Sequence, residues 1–321
     1  MTRVAAIDCG TNSLRLLIAD LPVSPGAEPG SARASRQEFG QPVDISRRME
    51  IVRLGQGVDA TGRLAPEAIE RTRVALSAYK QEIEGAGVTA VRMVATSATR
   101  DAANAADFHD MVVRTLGQEP EVVSGDEEAR LSFDGAVRGL PADAQAPYLV
   151  VDIGGGSTEF VLGDLSGITA ASSVDIGCVR MTERHLHTDP PDLDELSAAV
   201  ADIGGAVDRA LAAVPGEQAR TLIGLAGSVT TVTAIALGLT TYDPARIHHA
   251  RISRDEIALV TAGLAEMTRD QRARIGVMHP GRIDVIVAGA LILRTIMEKT
   301  AADFVLASEH DILDGIAYSL S

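Results

Sequence analysis

The stretch YLVVDIGGGSTEF, residues 148–160, places an aspartate and three consecutive glycines directly after an apolar run that predicts a buried strand. Glycine loses more conformational entropy on folding than other residues, so a run of three at the end of a strand needs a reason. The usual reason is that another group must approach the main chain closely. A loop of backbone N–H groups binds anions well, and phosphate is the leading candidate.

The same pattern occurs 144 residues earlier, in VAAIDCGTNSLRLLIAD, residues 4–20. Each copy predicts a β-hairpin: an apolar strand, Asp-x-Gly, a small polar loop, a second apolar strand and an acidic turn. The copies align without a gap, and the corresponding pairs are Asp8 and Asp152, Gly10 and Gly154, Ser13 and Ser157, and Asp20 and Asp164. Two ordinary hairpins are one explanation. A duplicated domain, with both loops facing one cleft, accounts for the correspondence better.

Composition indicates a globular protein with two domains, since the chain has 321 residues, of which 46% are hydrophobic and 23% charged. No apolar run reaches the roughly 20 residues that span a bilayer, and no secretory leader pattern opens the chain. We therefore expect a cytoplasmic protein without a membrane partner. The two cysteines, Cys9 and Cys178, are expected to be buried packing residues.

The net charge of −15 opposes binding to nucleic acid, so any phosphate site must be a local positive pocket. Arginine is the candidate residue, since the chain has 27 arginines and two lysines, but codon bias in a GC-rich genome explains this excess equally well. The planar fork of arginine suits bidentate contacts with phosphate.

The order of elements predicts two similar halves. Residues 21–48 are rich in Pro, Gly, Ser and Arg and predict a long mobile connection between two strands. Three meandering strands followed by alternating helices and strands predict the ribonuclease H-like arrangement. The expected fold class is α/β, with two such domains and a cleft between them. We place the domains at residues 1–130 and 131–321, with the last helix able to pack back on the first domain.

The two hairpins, the turn LAGS and the two-lobed plan resemble the actin-like ATPase and sugar-kinase superfamily. Within it, the chain resembles the family of exopolyphosphatases and guanosine pentaphosphate phosphohydrolases over nearly its whole length. The blocks that carry the resemblance are AAIDCGTNS, ATSATRDAAN, VVSGDEEARL, VVDIGGGSTE, DIGCVRMTE, IDVIVAGALIL and DILDGIAY. The chain resembles the short form, because longer members append a C-terminal helical region.

The resemblance implies a general base and a metal site. Glu128, in SGDEEARL, matches the glutamate assigned as general base, whereas Glu127 would point elsewhere on its helix. An alternative is that both carboxylates only stabilise the N-terminus of their helix by interacting with its dipole. Asp152 matches the aspartate linked to Mg²⁺ or another divalent cation, with Glu159 and Asp8 as further candidate ligands. Each aspartate could instead cap a turn.

Phosphate binding is expected from backbone N–H groups and hydroxyls of the two loops, at Asn12, Ser13, Gly155, Gly156, Ser157 and Thr158. Arg100 matches a phosphate-binding arginine of the family, the alternative being an ion pair with Asp101. Arg180 has the same two interpretations. The histidines form no ligand set, and His248 and His249 are expected to be surface residues.

The resemblance implies Mg²⁺-dependent release of orthophosphate from the end of inorganic polyphosphate. Guanosine pentaphosphate is the alternative substrate, because it presents a similar tail to the same loops. An ATP-dependent kinase on the same fold and a non-catalytic sensor of polyphosphate or alarmone are further alternatives. The family also suggests a homodimer.

Overall fold

The structure is a computed structural model, and it describes residues 1–22 and 42–320. The strands are β1 Thr2–Cys9, β2 Ser13–Leu21, β3 Val43–Ile51, β4 Ala90–Ala95, β5 Glu121–Val122, β6 Tyr148–Ile153, β7 Thr158–Asp164, β8 Gly167–Val174, β9 Thr221–Leu225, β10 Arg251–Ser253 and β11 Phe304–Ala307.

The α-helices are α1 Val58–Thr61, α2 Pro66–Ala86, α3 Ser97–Asp101, α4 Ala105–Leu116, α5 Gly125–Ala136, α6 Cys178–His185, α7 Leu193–Ala213, α8 Ala226–Ala236, α9 Pro244–Ile247, α10 Arg254–Glu266, α11 Arg269–Arg272, α12 Ile286–Lys299 and α13 Ile312–Tyr318. Two short 3-10 helices span Gly216–Gln218 and Pro280–Arg282.

Two sheets repeat one topology. The first has the order β3-β2-β1-β4-β5, and the second has the order β10-β11-β9-β6-β7-β8. In each sheet, three antiparallel strands are followed by strands that run parallel to the first of them. The second sheet adds only β10 at its edge. The predicted α/β class with two ribonuclease H-like halves is confirmed.

Strand register places the two hairpin loops equivalently. Asp8 at the end of β1 lies opposite Arg15 of β2, and Asp152 at the end of β6 lies opposite Glu159 of β7. Strands β4 and β9 run parallel beside these hairpins, so α3 and α8, which follow them, also begin at the same sheet edge. Four chain segments therefore converge where the carboxyl ends of the inner strands meet.

Some elements differ from expectation. Strand β8 was not predicted, because its sequence GITAASSV is rich in Ala and Ser and lacks a clear apolar alternation. β3 begins at Val43, so the end of the connection expected over residues 21–48 is strand, whereas most of that stretch lies outside the described residues. The division of domains between residues 130 and 131 falls inside α5 and stays a prediction.

Helices α5 and α13 pack against each other between the two sheets. Residues of α13 join the core of the first sheet, while Ala129 and Phe133 of α5 join the core of the second. The backbones approach closely at two glycines: a Cβ on Gly135 would overlap the carbonyl oxygen of Asp311, and one on Gly315 would overlap that of Leu131. The crossing therefore fixes α5, which carries Glu128, against the N-terminus of α13.

We expect Gly135→Ala to lower the free energy of unfolding by about 1–3 kcal/mol, because the added methyl group forces two packed backbones apart. Gly85→Ala is the matched control. Gly85 lies inside α2 with open space around it, so alanine should raise stability by about 0.5–1 kcal/mol through helix propensity. Denaturant unfolding of both variants measures this; equal effects would mean that the crossing tolerates a wider spacing.

Other features agree with the sequence. Cys9 and Cys178 are buried and unbridged, and burial raises the pKa of both thiols. Among residues 1–22 and 42–320, no helix is long and apolar enough to cross a bilayer.

Candidate active site

A cleft of about 550 Å³ lies between the two sheets. Seven of the predicted site residues line it: Asp8, Asn12, Ser13, Glu128, Asp152, Gly155 and Ser157. Both hairpin loops close in the same way, since the N–H of Gly10 donates to the carbonyl of Ser13 and the N–H of Gly154 donates to that of Ser157, each at 3.0 Å. The duplication read from the sequence thus brings two like loops to one cavity.

The glycine loop, residues 154–157, packs closely against side chains of the first loop and of α3. A Cβ on Gly155 would lie 2.8 Å from Cβ of Thr11, and a Cβ on Gly156 would lie 2.7 Å from Oγ of Ser97. The Cβ of Thr11 is fixed by its backbone, so a side chain at position 155 would force the two loops apart, whereas the Ser97 hydroxyl can rotate away from position 156. The hydroxyl groups of Thr11 and Ser97 are also hydrogen bonded, at 2.9 Å.

Glu128 lies in the first turn of α5, whose N-cap is Ser124. Its side chain is buried beside the cleft, and one nitrogen of Arg100 donates to its Oε2 at 3.0 Å. Burial raises the pKa of Glu128 to about 7, although the charge of Arg100 opposes this shift. A carboxylate with a pKa near neutrality can exchange a proton during turnover, which is the property of a general acid or base.

Glu127, the adjacent carboxylate, faces another direction. It pairs with Arg130 at 2.7 Å, and that hydrogen bond lowers its pKa. The two neighbouring glutamates thus lie in different environments, and of the two only Glu128 lines the cleft.

Three further buried carboxylates surround Glu128. Ser132 donates to Oδ2 of Asp152 at 2.6 Å, and Ser173 donates to Oε1 of Glu159 at 2.7 Å. Burial raises the pKa of Asp152 to about 6, and it also raises the pKa of Glu159 well above its ordinary value. Burial likewise raises the pKa of Asp8, against the lowering influence of its partner Arg15.

The carboxylates fit a hydrated divalent cation. Oδ1 of Asp8 is buried and has no hydrogen-bond partner, which leaves an oxygen available to a ligand. No group of three or more His, Cys, Asp or Glu side chains is positioned as a complete metal cage within the described chain. Mg²⁺ needs no such cage, because it usually takes one or two carboxylates and completes its shell with water and phosphate oxygens.

Several predicted residues lie behind the cleft surface. The hydroxyl of Thr158 donates to the carbonyl of Ile176, and Gly156 and Glu159 are buried. Arg100 contacts Glu128 and the carbonyl of Val123, and its expected alternative partner Asp101 pairs with Arg180 instead.

Arg15 and Asp311 also belong to the site, although neither was predicted as a site residue. The guanidinium of Arg15 donates to Oδ2 of Asp8 at 2.7 Å and also to Asp311, which caps α13. Burial would raise the pKa of Asp311, but Arg15 outweighs this influence and the pKa is lowered. A signal existed for Arg15, because it occupies the same register position in β2 as Glu159 does in β7.

Apolar and basic side chains also line the cleft. The apolar ones include Met49 and Ile51 of β3 and Val277 and Met278. Arg282 also lines the cleft and donates to the hydroxyl of Thr231 at 2.9 Å. The cleft therefore combines the acidic group around Glu128 with apolar and basic groups.

His248 and His249, expected to be surface residues, are half-buried. Their rings stack with centroids 3.6 Å apart, and the His310 ring lies 4.5 Å from that of His248. Burial and the neighbouring histidines lower the pKa of His248 to about 3. Two adjacent polar residues gave no sequence signal of this packing, which depends on the loop after β11.

The Ppx/GppA phosphatase family model matches residues 34–321. The chain belongs to this family. It is 51% identical to Exopolyphosphatase 2 of Mycobacterium tuberculosis over 330 residues, which cover all of this chain and 99% of that protein. Family membership confirms the predicted resemblance and the assignment as a hydrolase.

Solved Ppx/GppA structures are similar over almost the whole chain. A crystal structure of an exopolyphosphatase-like protein is 41% identical and superposes with a TM-score of 0.91, covering 99% of this chain and 98% of that one. The Aquifex aeolicus family member is 30% identical with a TM-score of 0.79, at the same two coverages. An exopolyphosphatase from Cytophaga hutchinsonii is 25% identical with a TM-score of 0.83, covering 99% and 97%.

Proposed function

We propose that this Ppx/GppA protein is an exopolyphosphatase that releases terminal orthophosphate from inorganic polyphosphate in a Mg²⁺-dependent hydrolysis. The observation that carries the proposal is a buried carboxylate, Glu128, with a pKa raised to about 7, at the edge of a cleft lined by two phosphate-type loops. The relative of 51% identity, named Exopolyphosphatase 2, supports the choice of polyphosphate.

Glu128 is the proposed general base. It accepts a proton from water while the water oxygen bonds to the terminal phosphorus and the bond from phosphorus to the bridging oxygen breaks. Arg100 holds Oε2 of Glu128, so it orients the base in this structure. The hydrogen bonds from Arg100 to Glu128 and Val123 both use Nη1, so direct phosphate binding, the role expected of Arg100, would use its other N–H groups.

The two loops hold the phosphate tail. Asn12, Ser13, Gly155 and Ser157 line the cleft, and their N–H groups and hydroxyls would donate to phosphate oxygens. Gly156 and Thr158 are buried and shape the loop. Asp152 and Asp8 would hold Mg²⁺, and Glu159, which is buried opposite Asp152 in the strand pair, is a further candidate ligand. When bound, the ion offsets the negative charge of the phosphate oxygens.

Guanosine pentaphosphate is a second candidate substrate, favoured by the apolar side chains among those that line the cleft. A linear polyphosphate has no apolar group, whereas a guanine ring could lie between Met49 and Met278. Arg282 lines the same cleft and could contact the phosphates that follow the base.

We place the enzyme in the cytoplasm, acting on a free polyanion. The net charge of −15 opposes binding to nucleic acid.

The division into domains at residues 1–130 and 131–321 remains a proposal. It is supported by the presence of one sheet within each range. The homodimer suggested by the family stays a prediction.

A phosphate-release assay with polyphosphate, guanosine pentaphosphate and ATP, each with and without Mg²⁺, tests the proposal. We expect orthophosphate from polyphosphate only when Mg²⁺ is present. Preferred cleavage of the pentaphosphate would favour the second candidate. Turnover of ATP only with an acceptor alcohol would indicate a kinase, and binding without turnover of any compound would indicate a sensor.

A further inference from the structure

Arg180 of α6 lies behind the glycine loop and makes three contacts. Its Nε donates to the carbonyl oxygen of Gly156 at 2.8 Å. Its Nη1 contacts Oδ1 of Asp59 at 2.6 Å, and its Nη2 contacts Oδ2 of Asp101 at 2.6 Å. The side chain of Arg180 is only 13% exposed, so these contacts are partly shielded from solvent.

The partners of Arg180 belong to different parts of the site. Gly156 is in the glycine loop between β6 and β7. Asp101 is the last residue of α3, the helix that also carries Arg100, whose guanidinium holds Glu128. One guanidinium thus joins the loop expected to bind phosphate to the helix that orients the proposed base.

Arg180 does not reach the substrate side. It lines a small cavity on the opposite side of the glycine loop, together with Thr11 and Asp59, and is not among the residues that line the cleft. The phosphate-binding interpretation considered for Arg180 from the sequence is therefore not supported by its position. Each of its three guanidinium nitrogens donates to a protein acceptor.

We propose that Arg180 is a positioning residue that fixes the glycine loop against α3 and so keeps the bound phosphate in line with Glu128. The inference rests on the proposed hydrolase function. Small displacements of reacting groups are costly, since an error of about 1 Å can lower turnover about 100-fold. Substrate affinity, which is spread over many donors, should change less.

Arg184 provides a matched control on the same helix. It shares Asp59 with Arg180 and pairs with Asp202 at 2.8 Å. In the part of the chain that the structure describes, its hydrogen bonds go to Asp59 and Asp202 and not to the glycine loop or α3. Replacing Arg184 therefore removes one partner of Asp59 but leaves the contact between Arg180 and the glycine loop in place.

The test compares Arg180→Met, Arg180→Lys and Arg184→Met by steady-state kinetics with polyphosphate and saturating Mg²⁺. We expect Arg180→Met to lower kcat about 10- to 100-fold with KM changed less than about threefold, and Arg184→Met to keep kcat within about twofold. Arg180→Lys should be intermediate, because an ammonium group cannot make all three contacts. Combining Arg180→Met with Asp101→Asn should lower kcat no further than Arg180→Met alone.

Hydrogen exchange supplies a readout that does not depend on turnover. Amides of residues 154–157 and 97–101 should exchange faster in Arg180→Met but not in Arg184→Met. Equal kinetic and exchange effects of the two variants would overturn the inference, and so would a rise in KM alone, which would mean that Arg180 contacts substrate. If the wild-type protein hydrolyses nothing, the proposed function fails while hydrogen exchange still decides the role of Arg180. If Arg180→Met does not fold, Arg180→Lys and Asp101→Asn carry the same comparison.

Discussion

Replacing Glu128 with glutamine is expected to lower kcat for phosphate release by about 10²- to 10⁴-fold, the usual contribution of a positioned general base. Glutamine keeps the size of the side chain and can still accept the hydrogen bond from Arg100, but it cannot take a proton from water. Initial rates of orthophosphate release from polyphosphate at pH 8 and saturating Mg²⁺ measure the effect.

Glu127→Gln is the control for this prediction. Glu127 is the adjacent residue of α5, carries the same charge and pairs with Arg130 away from the cleft. Its replacement should leave kcat within about twofold. Wild-type turnover in Glu128→Gln would show that another group activates the water.

A stability measurement separates loss of chemistry from loss of fold in Glu128→Gln. The folded-state pKa of about 7 is above the ordinary value of 4.5, so the folded protein binds this proton more tightly than the unfolded chain. Ionised Glu128 therefore costs the wild type about 3 kcal/mol above pH 7, and this cost disappears below pH 4.5, where both states are protonated. Without Mg²⁺, Glu128→Gln should be more stable than wild type at pH 8 and equally stable at pH 4.

The hairpin repeat made much of the site predictable. Its gapless alignment placed Asp8 and Asp152 at equivalent strand ends, and the structure brings both to the same cleft. Local patterns are sufficient for such positions, because strand, loop and register are encoded within about 20 residues. The direction of Glu128 followed from its place in the first turn of a helix after a strand.

Contacts between distant segments were not predictable in the same way. Arg15 and Asp311 are 296 residues apart in sequence, and nothing local in either segment indicates the partner. Arg100 has a neighbouring carboxylate, Asp101, as its obvious partner, yet the fold pairs it with Glu128 and gives Asp101 to Arg180. Ion pairs depend on which elements meet, so their partners follow from the tertiary structure.

Asp152→Asn is expected to raise the Mg²⁺ concentration for half-maximal activity by at least about 10-fold and to lower kcat/KM at fixed low Mg²⁺ about 100-fold. Even changes to groups that only orient metal ligands cost 10- to 100-fold, and Asp152 is itself a proposed ligand. Asparagine keeps the hydrogen bond from Ser132 and the shape of the buried site, but it removes the charge that attracts the cation. Magnesium titrations of activity and calorimetry of Mg²⁺ binding without substrate measure the two effects.

Asp164→Asn is the control for this prediction. Asp164 is the last residue of β7, at the other end of that strand from Glu159, and its carboxylate accepts a hydrogen bond from Ser166. Asp164→Asn should leave the Mg²⁺ dependence of activity unchanged. An unchanged Mg²⁺ dependence in Asp152→Asn would exclude Asp152 as a ligand.

Asp152→Asn and Glu128→Gln together separate the roles of the two residues. High Mg²⁺ should restore part of the activity of Asp152→Asn by mass action, whereas no Mg²⁺ concentration should restore Glu128→Gln, because the missing group there is a proton acceptor.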